Sequence, residues 1–390
     1  MAASSDTTTI PDSTTLYFGP WYERSPYFKA TLRAGCSAYD VYNHRFIPAY
    51  YDDPVNEYWH LLEHVTLWDV GVEHIVQIKG PDALEFTNLL TCRDLTKCAV
   101  GQCKYAPLIE ADGGIVNDPV LLRPEEDTFW LALADSDAGL WARGVAWGSD
   151  LDVEISDPPV YPVQVQGPKA KDVVSSLFGD EVLEVPYYYC THAELDGTPV
   201  VLGRTGWTGE IGYEIYLRDP DRGDDLWERV MEAGAPHDIR PIAPCEARRI
   251  EAGIFNYRSD MTLGDNPFEV TGLERLVEEQ EADYIGKEEL ERIRAEGVSR
   301  KLVGMEIEGE PLAWELTEFW PAWSDGDRVG HATIAIRSPG LEKNIGYVWV
   351  PIELADPGNE LDLELPDGSR RRAVTASLPF VDPRKRKPAE

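Results

Sequence analysis

Apolar and polar positions alternate along HIVQIKG (74–80), the period of a half-buried strand. A Pro-Asp pair then opens an apolar run with helical spacing, ALEFTNLL. The same order of strand, Gly-Pro and helix recurs in PVYPVQVQGPKAKDVVSSLFG, which hints at two related α+β units. Between them, YAPLIEADGGIVNDPVLLRPEEDTFWLALAD predicts three successive strands joined at ADGG and PEED turns, and SDAGLWARGVAWGSD predicts a helix. The segment 273–297 reads as helix with one break between Asp283 and Gly286. From Lys301 the pattern changes to short strands separated by Gly, Pro and Asp turns, the signature of an antiparallel barrel or sandwich of about 80 residues. The expected organisation is an α+β chain. A lead-in spans 1–25, a body of two α+β subdomains 26–300, a β-barrel domain 301–382, and a solvated basic tail with no function 383–390.

A chain of 390 residues is too long for one ordinary core, and its 43% apolar content excludes a disordered protein. No apolar run of about 18 residues occurs and the N-terminal stretch is polar, so neither a membrane span nor a secretory signal is expected and the predicted location is cytoplasmic. The net charge of −34 argues against nucleic acid and anionic membranes as partners. The acids are spread along the whole chain, which fits adaptation to a salt-rich cytoplasm that screens self-repulsion. Six cysteines without a CxxC pair predict neither a disulfide scaffold nor a cysteine zinc site. HLLEH, His60 to His64, has the HxxEH spacing of some zinc proteases, but Leu61 and Leu62 suit an ordinary amphipathic helix and no third ligand is evident, so no metal is expected.

Three segments carry candidate chemistry. In GGIVNDPV (113–120) an acid, Asp118, interrupts an apolar row, and such a placement is unfavourable unless the acid is paired or faces a cavity. Pro119 cannot donate to a ladder, so the strand is an edge or is bulged there, which would turn Asp118 toward a cleft; a solvent-facing Asp is the alternative. In GRTGWTGEIGYEIYL (203–217) glycines recur every third residue without a phosphate-loop pattern. A tight backbone there admits a flat ligand, with Trp207 as a stacking face and Glu214 as a carboxylate for an amino-pyrimidine edge; a plain Gly-rich hairpin is the alternative. EARRIEAGIF reads as a helix whose Arg248, Arg249 and Glu251 lie on a solvated face. Aromatic residues such as Trp68, Tyr39 and Tyr42 are candidates to hold a cation through their ring faces.

Taken in order, IKGPDALEFTNLL, GQCKYAPLIEADGGIVNDP, VQVQGPKA, RTGWTGEIGYEI, RRIEAGI, DMTLGDNPFEV and DYIGKEEL resemble the folate-dependent glycine-cleavage T-protein family. AGCSAYDVYNHRFIP, LWDVGVEHIVQIKG and FWLALADSDAGLWARG look most like its dimethylsulfoniopropionate-demethylase branch. The resemblance implies a three-domain folate-binding fold with a C-terminal β-barrel, and tetrahydrofolate as cofactor. It implies catalysis at Asp118, folate contacts from Tyr105, Trp207 and Glu214, and donor contacts from Tyr39, Tyr42, Trp68 and Asn117. T-proteins carry FDVSHM where this chain has WDVGVEH, and an Asp-Asp pair where it has Asn117-Asp118. They also carry an Asn at the position of Ala134 and an Arg at that of Cys245. These departures favour methyl transfer from a small cationic donor over aminomethyl transfer from a lipoyl carrier protein. Thr208-Gly209-Glu210 runs the other way, since it is retained as in T-proteins. A folate-binding regulatory protein without catalysis is the third reading.

Overall fold

The computed structural model describes residues 19–312, 316 and 318–390, so most of the lead-in 1–25 lies outside the described residues. Two antiparallel sheets build the body. The first has five strands in the order Glu154–Ser156, His74–Lys79, Thr128–Leu133, Val120–Glu125 and Cys103–Tyr105. The second has six, in the order Cys190–Leu195, Thr198–Gly203, Gly212–Leu217, Tyr161–Gln166, Val65–Asp69 and Ile239–Pro241, the last pairing parallel. Each sheet is a half-exposed surface that needs an apolar cover. Helices Ala83–Leu89 and Ala138–Trp147 bury Phe86, Ala138 and Ala142 against Val76 and Ile78 of the first. Helices Ala170–Phe178 and Gly223–Gly234 bury Val173, Val174, Trp227 and Val230 against Val163 and Val165 of the second. A third layer, with Ile75, Trp130, Val201 and Tyr216, joins residues of the two sheets.

The barrel closes with six strands, from Arg300–Ile307 to Arg370–Ala376, with Trp320–Ser324 adding one that the turn pattern did not single out. Ile345, Tyr347 and Trp349 of its wall share a core with Ile250, Phe255 and Met261 of the body, which fixes the barrel against the body.

Three expectations are corrected. Residues 273–286 form a single 3₁₀ turn, Glu274–Leu276, and irregular chain, and only Lys287–Glu296 is α-helical. The acids of 278–283 are too polar to cover a core, so local propensity has no packing to support it. Arg248, Arg249 and Glu251 are buried, not solvated, because each finds charged partners inside. The tail is not a free solvated segment: Arg386–Ala389 is a short helix, Pro388 is buried, and Lys387 Nζ pairs with buried Glu210 at 2.9 Å.

Candidate functional site

Asp118 sits in a gap between two strands. Ile115–Asn117 pairs with Leu108–Ile109 across the Gly113-Gly114 turn, and Val120–Glu125 belongs to the five-stranded sheet. Gly114 is required where it stands, since a Cβ there would meet the Leu263 carbonyl at 2.1 Å. Asn117 locks the segment: its amide donates to Ala134 O at 3.0 Å and Ser136 Oγ at 2.7 Å, and it accepts from Ala134 N at 3.1 Å. The Tyr257 hydroxyl donates to Ile115 O at 2.8 Å. The break at Asp118-Pro119 thus leaves a carboxylate on a rigid mount. The Tyr105 hydroxyl donates to Asp118 Oδ2 at 2.6 Å, while Oδ1 is buried without a partner. Burial pushes the Asp118 carboxyl up from 3.8 to about 7, against the lowering effect of the Tyr105 hydrogen bond.

Asp118, Val120, Tyr105, Tyr187 and Tyr188 line a cavity of about 180 Å³. A second cavity, of about 790 Å³, is walled by Tyr39, Trp68, Tyr50, Gln164 and Arg249. Tyr42, Glu73, Trp207 and Asn256 line both, so the two share one wall. The structure therefore brings Tyr39, Tyr42, Trp68, Tyr105, Asp118 and Trp207 to two adjoining chambers. Two candidates stand apart. Asn117 is fully buried with its amide engaged by the backbone and Ser136, and lines neither cavity. Glu214 lies behind the large chamber, accepting from Gln164 Nε2 at 2.9 Å, Thr205 Oγ1 at 2.5 Å and the Tyr216 hydroxyl at 2.5 Å. Gln164 carries Glu214 to the cavity wall, and its own Oε1 is buried and unpaired.

The Gly-rich loop is tight for a reason other than ligand approach. A Cβ at Gly206 or Gly212 would fall 2.3 Å from the Gln166 amide, which fills the loop and accepts from Thr208 Oγ1 at 2.8 Å. The loop so held presents Trp207, whose ring has the Arg249 guanidinium 5.3 Å from its centroid. Arg249 is only 1% exposed and pairs with Glu246 and Asp260, each at 2.7 Å. Arg248 beside it pairs with Glu251 at 2.8 Å and Glu210 at 2.6 Å. Breaking one partner of such a buried pair costs about 3–5 kcal/mol, so the Trp207 wall is strongly fixed. The tail completes the small chamber with Lys385 and Pro388, beside Asp382.

Sequence reasoning missed Glu73. It stands in the WDVGVEH segment, the departure from FDVSHM, and its residue type there was the available signal. Burial, and then the charge of Glu214, push its carboxyl above the ordinary range. HLLEH forms the end of the Asp53-capped helix Pro54–Glu63. His60 and His64 stack at 4.7 Å and come within reach of Asp238, with His60 Nε2 2.7 Å from Asp238 O and His64 Nδ1 3.0 Å from Lys169 Nζ.

The comparison with known families decides what this arrangement belongs to. The profile of the GCVT N-terminal domain matches residues 27–281, and that of the glycine cleavage T-protein C-terminal barrel domain matches residues 300–382. The chain belongs to the glycine-cleavage T-protein family. It is 36% identical to dimethylsulfoniopropionate demethylase DmdA of Ruegeria pomeroyi over 347 residues, 89% of this chain and 94% of that one. It is 30% identical to an aminomethyltransferase of Desulfitobacterium hafniense over 361 residues, 91% of this chain and 96% of the other. The crystal structure of aminomethyltransferase T from Bartonella henselae superposes with a TM-score of 0.82 at 22% identity, covering 92% of this chain and 98% of that one, a likeness of fold. Membership makes the chain a folate-dependent one-carbon transferase with tetrahydrofolate as cosubstrate. The residues present fit that group. Asp118 Oδ1 in the small chamber and Gln164 Oε1 in the large one are unpaired acceptors of the kind a pterin N–H takes, and Trp207 offers a flat face on the wall the chambers share. No described helix is long and apolar enough to cross a membrane.

Proposed function

We propose that the chain moves a methyl group from a small cationic donor, a sulfonium such as dimethylsulfoniopropionate, to N5 of tetrahydrofolate. The observation that carries the choice of methyl over aminomethyl is the 36% identity to the demethylase across 89% of the chain. The aromatic walls of the large chamber, Tyr39, Tyr42, Trp68 and Trp207, suit an onium ion and support the same reading. Tetrahydrofolate would supply N5 as the nucleophile; the donor sulfur keeps the electron pair of the broken S–CH₃ bond and departs neutral, and the proton leaving N5 passes to Asp118 Oδ1 and on to solvent. The protein's part is alignment and electrostatics. Tyr105 fixes Oδ2 of Asp118, which leaves Oδ1 free to orient an N–H and to balance positive charge as it moves between the chambers. Asn117 keeps that carboxylate in register as a positioning residue. Trp207 serves both chambers as the shared wall, and the tail narrows the access of water.

The test is a donor screen with tetrahydrofolate at high salt, following methyl-tetrahydrofolate and the demethylated donor. Stoichiometric formation of both from a sulfonium is the expected result. The reading fails if no cationic donor is demethylated and turnover requires an aminomethyl-lipoyl carrier with release of ammonia. That second reading draws on the retained Thr208-Gly209-Glu210 and on the aminomethyltransferase relatives.

A further inference from the structure

The wall common to the two chambers contains an acid with nothing to balance it. Glu73 ends the turn closed by its N–H donating to Val70 O at 2.9 Å, immediately before the strand His74–Lys79, and it lines both cavities. Among the described residues Glu73 forms no ion pair with a basic side chain, and the charge that acts on it is the neighbouring carboxylate of Glu214. Glu214 in turn is held by three neutral groups, the Gln164 amide and the Thr205 and Tyr216 hydroxyls. Arg249, which faces the large chamber, is committed to Glu246 and Asp260. Glu73 is half-buried, with its carboxylate in the cavity wall. A carboxylate in so apolar a setting is paired, bound to a ligand, or pushed toward its neutral form. Aromatic surfaces stand beside this one, and the oxygens of Glu214 already serve neutral donors. The aromatic faces of Tyr42 and Trp207 beside the carboxylate suit an apolar onium cation.

We infer that Glu73 is the counterion for the onium centre of the donor, and so the residue that selects a charged donor over a neutral one of equal shape. The inference rests on the proposed methyl transfer, because it assigns the cation to the donor. Tyr42 and Trp207, the aromatic residues shared by the chambers, hold the same centre by their ring faces. In this geometry the donor's cation lies at the common wall and its methyl group can point toward the chamber of Asp118.

The test is a calorimetric binding comparison without tetrahydrofolate, using dimethylsulfoniopropionate and its neutral isostere 4-methylpentanoate, in which a CH replaces the sulfonium. Wild type is expected to bind the sulfonium about tenfold or more tighter than the isostere, the scale of a charge-assisted contact. In Glu73→Gln that gap closes, while affinity for 4-methylpentanoate and for tetrahydrofolate stays as in wild type. Retention of the gap in Glu73→Gln overturns the inference and leaves the methyl-transfer reading standing. Loss of tetrahydrofolate binding together with the gap overturns it as well, since Glu73 would then serve the folate. A wild type without any gap defeats both readings. Glu73→Leu, which suits a half-buried position on an apolar wall, carries the same comparison should the amide variant fail to fold.

Discussion

Replacing Asp118 by Asn removes a charge that the fold disfavours, so it should stabilise the protein while it removes activity. The distance from 3.8 to about 7 corresponds to a penalty of about 4 kcal/mol on the ionised carboxylate. The sign follows from where the proton sits. Below about pH 4 folded and unfolded chains both hold it and the group contributes nothing. Between about 4 and about 7 the unfolded chain ionises while the folded one does not, so stability falls as pH rises, and above about 7 the full penalty applies. The amide has no such titration. Its NH₂ would take the place of the unpaired Oδ1 and carry its own burial cost of about 1–3 kcal/mol at every pH. The advantage of Asn over Asp should therefore grow by about 3 kcal/mol between about pH 5 and about pH 8. Urea unfolding of both proteins at the two pH values reads it directly. A difference that stays constant with pH would refute the reasoning, because it would mean a carboxylate hydrated in the folded state. The same titration bears on activity: with Asp118 acting as the anion, kcat/KM should rise through about pH 7 in wild type and lose that rise in Asp118→Asn.

Asn117→Ala should cost about 2–3 kcal/mol, because Ala134 and Ser136 lose their partners, and should lower kcat with little change in the donor KM. Denaturation and steady-state kinetics check the two halves. Asp260→Asn leaves Arg249 under-compensated, and a loss of about 3–5 kcal/mol in unfolding free energy is expected, with weaker tetrahydrofolate binding as the Trp207 wall loosens. With a net charge of −34, the melting midpoint should rise between low and molar potassium chloride as self-repulsion is screened, and a midpoint that falls would oppose adaptation to salt.

What could be read from the chain followed the strength of local pattern. The strand His74–Lys79, the helix Ala83–Leu89 and their counterparts Tyr161–Gln166 and Ala170–Phe178 were legible because period and turn residues agree there. Asp118 was legible because an acid beside Pro119 breaks an apolar row, and the structure ends one strand and starts the next around it. The charges of EARRIEAGIF misled because burial of an ion pair depends on partners far along the chain, Glu210 and Asp260 among them, which no periodicity encodes. The tail misled in the same way: RKRKPAE has the composition of a solvated end, and only the position of Glu210 draws Lys387 down onto the body, which leaves Lys385 and Pro388 in the wall of the small chamber. Glu73 escaped notice because only the departure of WDVGVEH from FDVSHM marks it in sequence, whereas in space it meets Glu214 and two chambers.

The most direct measurement is a crystal structure of the protein with tetrahydrofolate bound. A pterin edge within hydrogen-bonding distance of Asp118 Oδ1, with its ring against Trp207, is the predicted result. Folate held elsewhere, with Oδ1 of Asp118 still without a partner, would contradict the assignment of this cavity as the site of one-carbon transfer.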